Sequence, residues 1–406
     1  MLSESSAAVV KATLPVVQAH GEAITGCFYP RMFKAHPELL NIFNRGNQAN
    51  GAQKAALAAS VVAYAQHLLG ASDLPWEPIL ERIAQKHVSL GISAPQYTIV
   101  GRHLMGAIGE VLGDAVTPEV AAAWDEVYWL FACELIAREA RLYTEAGIAE
   151  GQSIWREWRI ESRVEETREV VSFTLVPADG GAVPSFTPGQ YVSVAVDLDG
   201  DQGQQIRQYS LSGRPDADHW RITVKRVRGI DGAPDGVVST FLHERVQVGD
   251  TLRLSMPSGE ISVLAGEGPL LLVSAGIGLT PAMAALEHLA VTEPERPVVL
   301  VHADRAGTAH AMRDDLPRLQ EQLPNLRLRL WYEDVTDSQL LGLKADVASG
   351  LVDPEQIPVN PDAYVHLCGP VPFMTTVRGG LLRRGVPSER IAYEVFGPGM
   401  LRDERV

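Results

Sequence analysis

Cysteine is scarce in this chain: three residues, Cys27, Cys133 and Cys368, stand far apart in 406. An odd number of isolated thiols with no CxxC or CxxCH spacing argues against a disulfide framework, a zinc site and covalently attached haem. No apolar run approaches the roughly 18 residues needed to span a bilayer. The N-terminal MLSESSAAVV lacks a basic start followed by an apolar core, so a secretory leader is not expected. Net positive charge is also missing. The formal charge is -15, the wrong sign for a nucleic-acid-binding face. The acidity is spread along the chain and reads as solubility. What is present, 46% hydrophobic and 21% charged residues, suits a cytoplasmic globular protein with more than one core.

Three patterns follow one another. Residues 1 to about 148 repeat apolar side chains at three and four, as in Leu57, Val61, Tyr64 and Leu68 or Val100, Leu104, Ile108 and Val111, which predicts helices throughout. Ser93 with Gln96 fits a capping box, and Thr117-Pro118 fits the start of a long helix ending near Gly147. After GIAEGQSIWREW the segments EVVSFTLVPA, QYVSVAVDL, HWRITVKRV and DTLRLSMPSG alternate polar and apolar residues between Gly, Pro and Asp clusters. That pattern predicts an antiparallel β-barrel. From about residue 265 the apolar strands PLLLVSAG, PVVLVHAD, LRLRLWYE, AYVHLCG and RIAYEVF alternate with helical segments, the pattern of a parallel sheet with crossover helices. The expected architecture is therefore all-α over 1–148, antiparallel β over 149–264 and α/β over 265–406.

Chemistry-bearing motifs cluster at the predicted strand ends. Ala275-Gly276-Ile277-Gly278-Leu279-Thr280-Pro281 joins a strand to a helix, where glycines let backbone N–H groups approach a diphosphate at a helix N-terminus. The same spacing also suits a plain strand–helix turn. Cys368-Gly369-Pro370 ends a later strand, and ligands of such sheets bind at the carboxyl ends of strands, so the two turns are expected to face one pocket. Upstream, Arg207-Gln208-Tyr209-Ser210 lies on a β segment, preceded by Pro188-Gly189-Gln190-Tyr191. An arginine pairs with phosphate and a tyrosine offers a flat face to an aromatic ring. Val237, Val238 and Ser239 after Gly236 suggest a second phosphate-facing turn. Glu394 and Phe396 follow the last strand. In this order RQYS, AGIGLTP, CGP and EVFGP resemble the ferredoxin–NADP reductase superfamily. The resemblance implies that Tyr191, Arg207, Gln208, Tyr209 and Ser210 hold FAD. It further implies that Gly276, Gly278, Thr280, Pro281, Cys368, Gly369, Pro370 and Glu394 line the nicotinamide nucleotide site, with Phe396 shielding the flavin ring. At the end of the second α/β strand, Arg305 suits a 2′-phosphate whereas Asp304 repels one. NADH is therefore expected over NADPH.

The helical third offers His87 on an apolar helix face, four residues after Ile83. Alone it reads as a core histidine. Glu139 follows Leu135 and Phe131 by four and eight residues and so projects from an apolar face, where an unpartnered carboxylate is costly. The N–H of a ligand histidine is a suitable partner. Tyr29, Phe43, Gln53 and Leu57 are ordinary core material one by one, yet together they frame a small polar ligand. FYPRMF, PELLNIFN, QANGAQKAAL, AQKHVSLGISAPQY and AREARLY, in this order, resemble the globin domain of flavohaemoglobins. With the reductase motifs behind it, the resemblance covers essentially the whole chain.

That resemblance implies one haem b whose iron is bound by His87 as the proximal ligand and only metal-ligating residue, with Tyr97 and Glu139 as its hydrogen-bonding partners. It places Tyr29, Gln53 and Leu57 on the distal side, Phe43 against the haem and Lys86 beside a propionate. Tyr29, Gln53, Tyr97 and Glu139 would carry the catalysis. The implied activity is nitric oxide dioxygenase, in which NAD(P)H reduces FAD and haem in turn and NO reacts with O2 to give nitrate. NADH oxidase or peroxide reductase chemistry on the same scaffold, an O2-binding or sensing globin, and a flavin reductase with a docking domain remain alternatives. No obligate protein partner and no nucleic acid are expected, a monomer is expected, and the apolar distal side leaves room for a lipid or azole-like molecule.

Overall fold

The computed structural model describes residues 2–43, 52–72, 75–149, 151–200, 203–229, 232–335 and 343–396. The chain forms two compact units, Met1–Trp155 with Ala195–Arg207, and Arg156–Val194 with Gln208–Val406.

The first unit is built from α1 (Glu4–Ala19), α2 (Gly21–Ala35), α3 (Ala52–Leu68), α4 (Trp76–Leu90), α5 (Ala94–Leu112) and α6 (Pro118–Glu145). One apolar core, including Phe28, Met32, Leu80, Leu104, Trp124, Phe131 and Leu135, joins them. Two caps, the second of them expected, shape the part that matters for function. Gly91 ends α4 in the left-handed region at φ 76°, and Ile92 N–H donates to His87 O at 3.1 Å. This satisfies the last carbonyls of the helix and needs a residue without Cβ. Ser93 and Gln96 then form the capping box that opens α5. The long helix α6 begins at Pro118 with the Thr117 side chain accepting from Val120 N–H, as its sequence predicts.

The β domain contains β1 (Arg156–Thr167), β2 (Val170–Pro177), β3 (Tyr191–Leu198), β4 (Gly203–Ser210), β5 (Trp220–Lys225), helix α7 (Val237–Arg245) and β6 (Thr251–Leu254). Its strand order is β4-β3-β6-β1-β2-β5, and β1/β2, β1/β6 and β2/β5 run antiparallel. Leu211, just past β4, forms an isolated antiparallel bridge to Ile222 of β5, so the two edge strands meet at that point. Alternation fills the interior: Trp158, Ile160, Phe173, Leu175, Trp220 and Ile222 are buried. Trp158 and Trp220 stack at 3.7 Å between ring centroids.

The α/β domain runs β7 (Leu270–Ala275), α8 (Thr280–Thr292), β8 (Val298–Ala306), α9 (Leu316–Gln322), β9 (Leu326–Asp334), β10 (Ala345–Ser349), β11 (Tyr364–Cys368), α10 (Val371–Arg383) and β12 (Ile391–Glu394). The order is β10-β9-β8-β7-β11-β12, all parallel. Apolar clusters cover both faces, which is why its central strands read as continuous apolar runs. The edge strand β10, ADVAS, is a strand that the apolar-run pattern does not reveal.

Candidate functional site

In the helical unit, His87 sits in the last turn of α4, and α6 brings Glu139 to it. His87 Nδ1 lies 2.7 Å from Glu139 Oε1 and 2.9 Å from the Tyr97 hydroxyl. Tyr97 itself donates to the same Glu139 oxygen at 2.5 Å. A carboxylate oxygen only accepts, so Nδ1 carries the imidazole proton and Nε2 presents its lone pair. Glu139 is 3% exposed while the His87 side chain keeps 31%. Burial, and then the Glu139 charge, push the Tyr97 phenol far above the ordinary tyrosine range, so it stays a proton donor.

Two further tyrosines brace this triad, and both escaped the sequence reading. Tyr128 donates to Tyr97 O at 2.5 Å, and Tyr143 donates to Ile92 O at 2.7 Å. Tyr143 stands four residues after Glu139, one helical turn along the same face, which is the signal that marks it. Gly101 leaves room for this bracing, since a Cβ there would lie 2.4 Å from the Tyr128 ring. Arg138, beside Glu139, pairs with Glu77 and comes within 3.6 Å of Glu81 on α4. The triad therefore fixes one end of α4 to α6 and Arg138 fixes the other.

The other expected residues stand on α2 (Tyr29), α3 (Gln53 and Leu57), α4 (Lys86) and the segment before α3 (Phe43). Tyr29 is 4% exposed and lies edge-on to Phe43 at 5.8 Å between centroids. Phe33 contacts both rings, at 5.7 and 5.3 Å. Gln53 and Leu57 are one turn apart on α3, both half-buried, and Lys86 is half-buried beside His87. Residues 44–51, which include part of two quoted motifs, lie outside the described residues. An imidazole held by a carboxylate through one nitrogen, in a unit whose core also packs the partly covered apolar side chains Phe43, Leu57, Val61 and Ile83, fits an iron porphyrin. The donor set is one that would hold the iron through a single imidazole nitrogen, that of His87.

In the α/β domain the two glycine turns do come together. A Cβ on Gly278 would lie 2.3 Å from Cys368 O, and one on Gly369 would lie 3.2 Å from the Ala275 Cβ. Gly276 is left-handed at φ 54°. Thr280 and Pro281 open α8, with the Thr280 hydroxyl donating to Ile277 O at 3.1 Å, and Pro370 caps α10. Glu394 pairs in register with Cys368 across β11/β12, and burial raises the Cys368 thiol well above its usual range. Phe396 is 49% exposed; Gly397 and Pro398 lie outside the described residues.

Lys225 at the end of β5 was not foreseen. Its Nζ lies 3.6 Å from where a Gly276 Cβ would be, a cation over a glycine turn at a helix N-terminus, which suits a diphosphate. The strand alternation of RITVK is the signal for it. On the β domain, β4 carries Arg207, Gln208, Tyr209 and Ser210, and Gln208 donates to Ser193 Oγ at 3.2 Å. Tyr191 starts β3 and is half-buried, as is Tyr209. The expected turn at Val237-Val238-Ser239 is the first turn of α7, and Ser239 Oγ accepts from Val227 N–H at 3.1 Å. Arg305, the candidate for a 2′-phosphate, instead pairs with Glu169 at 3.2 Å. Asp304 Oδ1 accepts from the Arg305 N–H at 2.8 Å.

Comparison with known proteins assigns these pieces. A globin family model matches residues 26–135, and an oxidoreductase NAD-binding domain model matches residues 272–379. Flavohemoproteins of Chromobacterium violaceum and Deinococcus radiodurans are 45% and 44% identical to this chain, each covering 98% of it and 98% of the relative. The crystal structure of flavohemoglobin from Malassezia yamatoensis, with bound FAD and heme, superposes with a TM-score of 0.86 at 33% identity, over 98% of this chain and 100% of that one. The FAD/NAD-binding domain of nitric oxide dioxygenase from Vibrio cholerae matches 60% of this chain and 99% of its own at 36% identity, with a TM-score of 0.55. Relatives this similar, aligned from end to end, show that the chain belongs to the flavohemoprotein family.

Proposed function

We propose that this flavohemoprotein is a nitric oxide dioxygenase that draws reducing equivalents from NAD(P)H through FAD to haem b and converts NO and O2 to nitrate. The Glu139–His87–Tyr97 triad carries the reading. Bound haem supplies the iron at which the gases react, and bound FAD divides a hydride into single electrons.

The chain's own residues do the rest. His87 Nε2 would hold the haem iron. Glu139 and Tyr97 hold the proton at Nδ1, fix the ring's orientation and make the imidazole a stronger donor. A storage globin has no use for that push. On the other side, Tyr29 aims a hydroxyl where negative charge develops. Gln53 supplies a second polar group and Leu57 an apolar wall, while Phe43 packs on the porphyrin and Lys86 meets a propionate. In the reductase part, Arg207, Gln208, Tyr209, Ser210 and Tyr191 would hold FAD, and Phe396 would shield its ring. Gly276, Gly278, Thr280, Pro281, Cys368, Gly369, Pro370 and Glu394 form the nucleotide site, with Lys225 at the diphosphate.

NADH is the preferred donor, because Arg305 is engaged by Glu169 and Asp304 opposes a 2′-phosphate. The protein works as a monomer in the cytoplasm, and its distal side accepts a lipid or azole-like ligand. The test is NO consumption by the purified protein loaded with haem and FAD, supplied with NADH and O2. Near-stoichiometric nitrate is expected; NADH oxidation that yields superoxide or peroxide and is indifferent to NO would overturn the proposal.

A further inference from the structure

The face of β5 that carries Lys225 also carries Thr223 and Arg221, because alternate residues of a strand share a face. Each of the three reaches a different part of the α/β domain. Arg221 donates from Nη1 to Asp315 Oδ2 at 2.7 Å and from Nη2 to Ser212 O at 2.7 Å, with Glu287 4.0 Å from Nη2. Arg318 donates to Glu287 at 2.5 Å and lies 3.8 Å from Asp315. Two arginines and two carboxylates thus close a ring around α8, the start of α9 and β5. Exposure rises around the ring, with side-chain values of 13% for Glu287, 16% for Arg221, 30% for Asp315 and 44% for Arg318.

Beside it, the Thr223 hydroxyl lies 3.5 Å from Met312 Sδ and 2.9 Å from the hydroxyls of both Ser172 and Ser212. Ser172 donates to Glu166 at 2.6 Å, and the other Glu166 oxygen accepts the Met312 N–H at 3.0 Å. Met312 is the one non-glycine residue among the described residues with a left-handed backbone, φ 54°. A side chain in that region is strained and persists only where its surroundings hold it.

We propose that Arg221, Asp315, Glu287 and Arg318, with the Thr223–Met312–Glu166 contact beside them, are positioning residues for hydride transfer. They fix the β domain in register with the glycine turns, so that Lys225 comes over Gly276 and the flavin and nicotinamide rings meet at a reactive separation. The inference rests on reading β4 and the glycine turns as the FAD and nicotinamide nucleotide sites. Isolated surface ion pairs contribute little, but Arg221 and Glu287 keep little exposure, and removing one partner of a shielded charge leaves the other uncompensated. Misplacement by about 1 Å costs on the order of 100-fold in rate.

The experiment uses the full chain loaded with haem and FAD, as wild type, Arg221→Met, Asp315→Asn and the double variant. Flavin reduction by NADH is followed anaerobically by stopped flow, with unlabelled and 4-deuterated NADH. The limiting reduction rate is expected to fall about 10- to 100-fold, with a full deuterium isotope effect. The NADH dissociation constant and FAD content should stay within about twofold of wild type, and the double variant should lose no more than the worse single. A limiting rate unchanged in both single variants would overturn the inference. So would loss of FAD or unfolding in the isosteric Asp315→Asn, which would make the ring merely structural. Failure of the wild type to reduce its flavin with NADH would instead overturn the site reading on which the inference stands.

Discussion

Replacing Glu139 with glutamine keeps the shape of the buried side chain and removes its charge. In the native site one oxygen accepts from His87 Nδ1–H at 2.7 Å and from the Tyr97 hydroxyl at 2.5 Å. Hydrogen bonds to a carboxylate contribute about 1.5–3 kcal/mol each, against about 1 kcal/mol for neutral pairs. The substitution therefore weakens the pair by roughly 1–4 kcal/mol in total. Only the part that distinguishes the two oxidation states of iron reaches the haem potential. The bond through the imidazole is the one that does so, and a share of about 1.4 kcal/mol corresponds to about 59 mV for one electron. The negative partner favours ferric iron, so the haem midpoint should rise by about 60 mV in Glu139→Gln. Turnover should drop about 10- to 100-fold, as for other groups that orient a metal ligand. Spectroelectrochemical titration of the haem band reads the midpoint directly. A shift under about 15 mV with the haem still bound would refute the claim that Glu139 tunes His87.

Three further outcomes follow from the same structure. Tyr29→Phe, at a residue 4% exposed, should retain haem and slow NO turnover about 100-fold, the scale for one donor to developing negative charge; an unchanged steady-state rate would remove Tyr29 from the mechanism. Gly278→Ala places a Cβ 2.3 Å from Cys368 O, so NADH binding measured by flavin reduction should weaken at least tenfold while the haem spectrum stays put. Burial lowers the His366 pKa from 6.5 to about 4. Its neutral form therefore contributes stability that is complete above pH 6.5 and is lost, by about 3 kcal/mol, as pH falls toward 4. His366→Leu should flatten urea-unfolding stability across that window relative to wild type, and parallel pH profiles would refute the assignment.

Much of this was legible because each layer of the sequence has its own period. Helical spacing put Glu139 on an apolar face, and the cost of burying a carboxylate there made a partner for it necessary. The Ser93–Gln96 box is local, so it reads straight from the chain. Tyr128, Tyr143 and Arg138 were not legible as braces, since tyrosines and an arginine on a long helix are ordinary until the neighbouring helices are placed. Lys225 and Arg221 were hidden for a related reason. Their alternation in RITVK marks a strand face, but only the tertiary fold shows that this face meets the α/β domain. The strand β10 was missed because an edge strand needs no apolar run. The Arg305 ambiguity arose because a sequence shows a charge without the carboxylate, Glu169, that engages it.

The stacked Trp158–Trp220 pair has a practical consequence. Two indoles with ring centroids 3.7 Å apart and planes 18° apart are close enough to couple their electronic transitions, which gives a split circular-dichroism signal in the ultraviolet. Trp158 lies on β1 and Trp220 on β5, with β2 between them, so the couplet exists only while the strands are in register. The β domain thereby carries an optical gauge of its own, separate from the visible bands of haem and flavin, and its unfolding can be watched in the apoprotein.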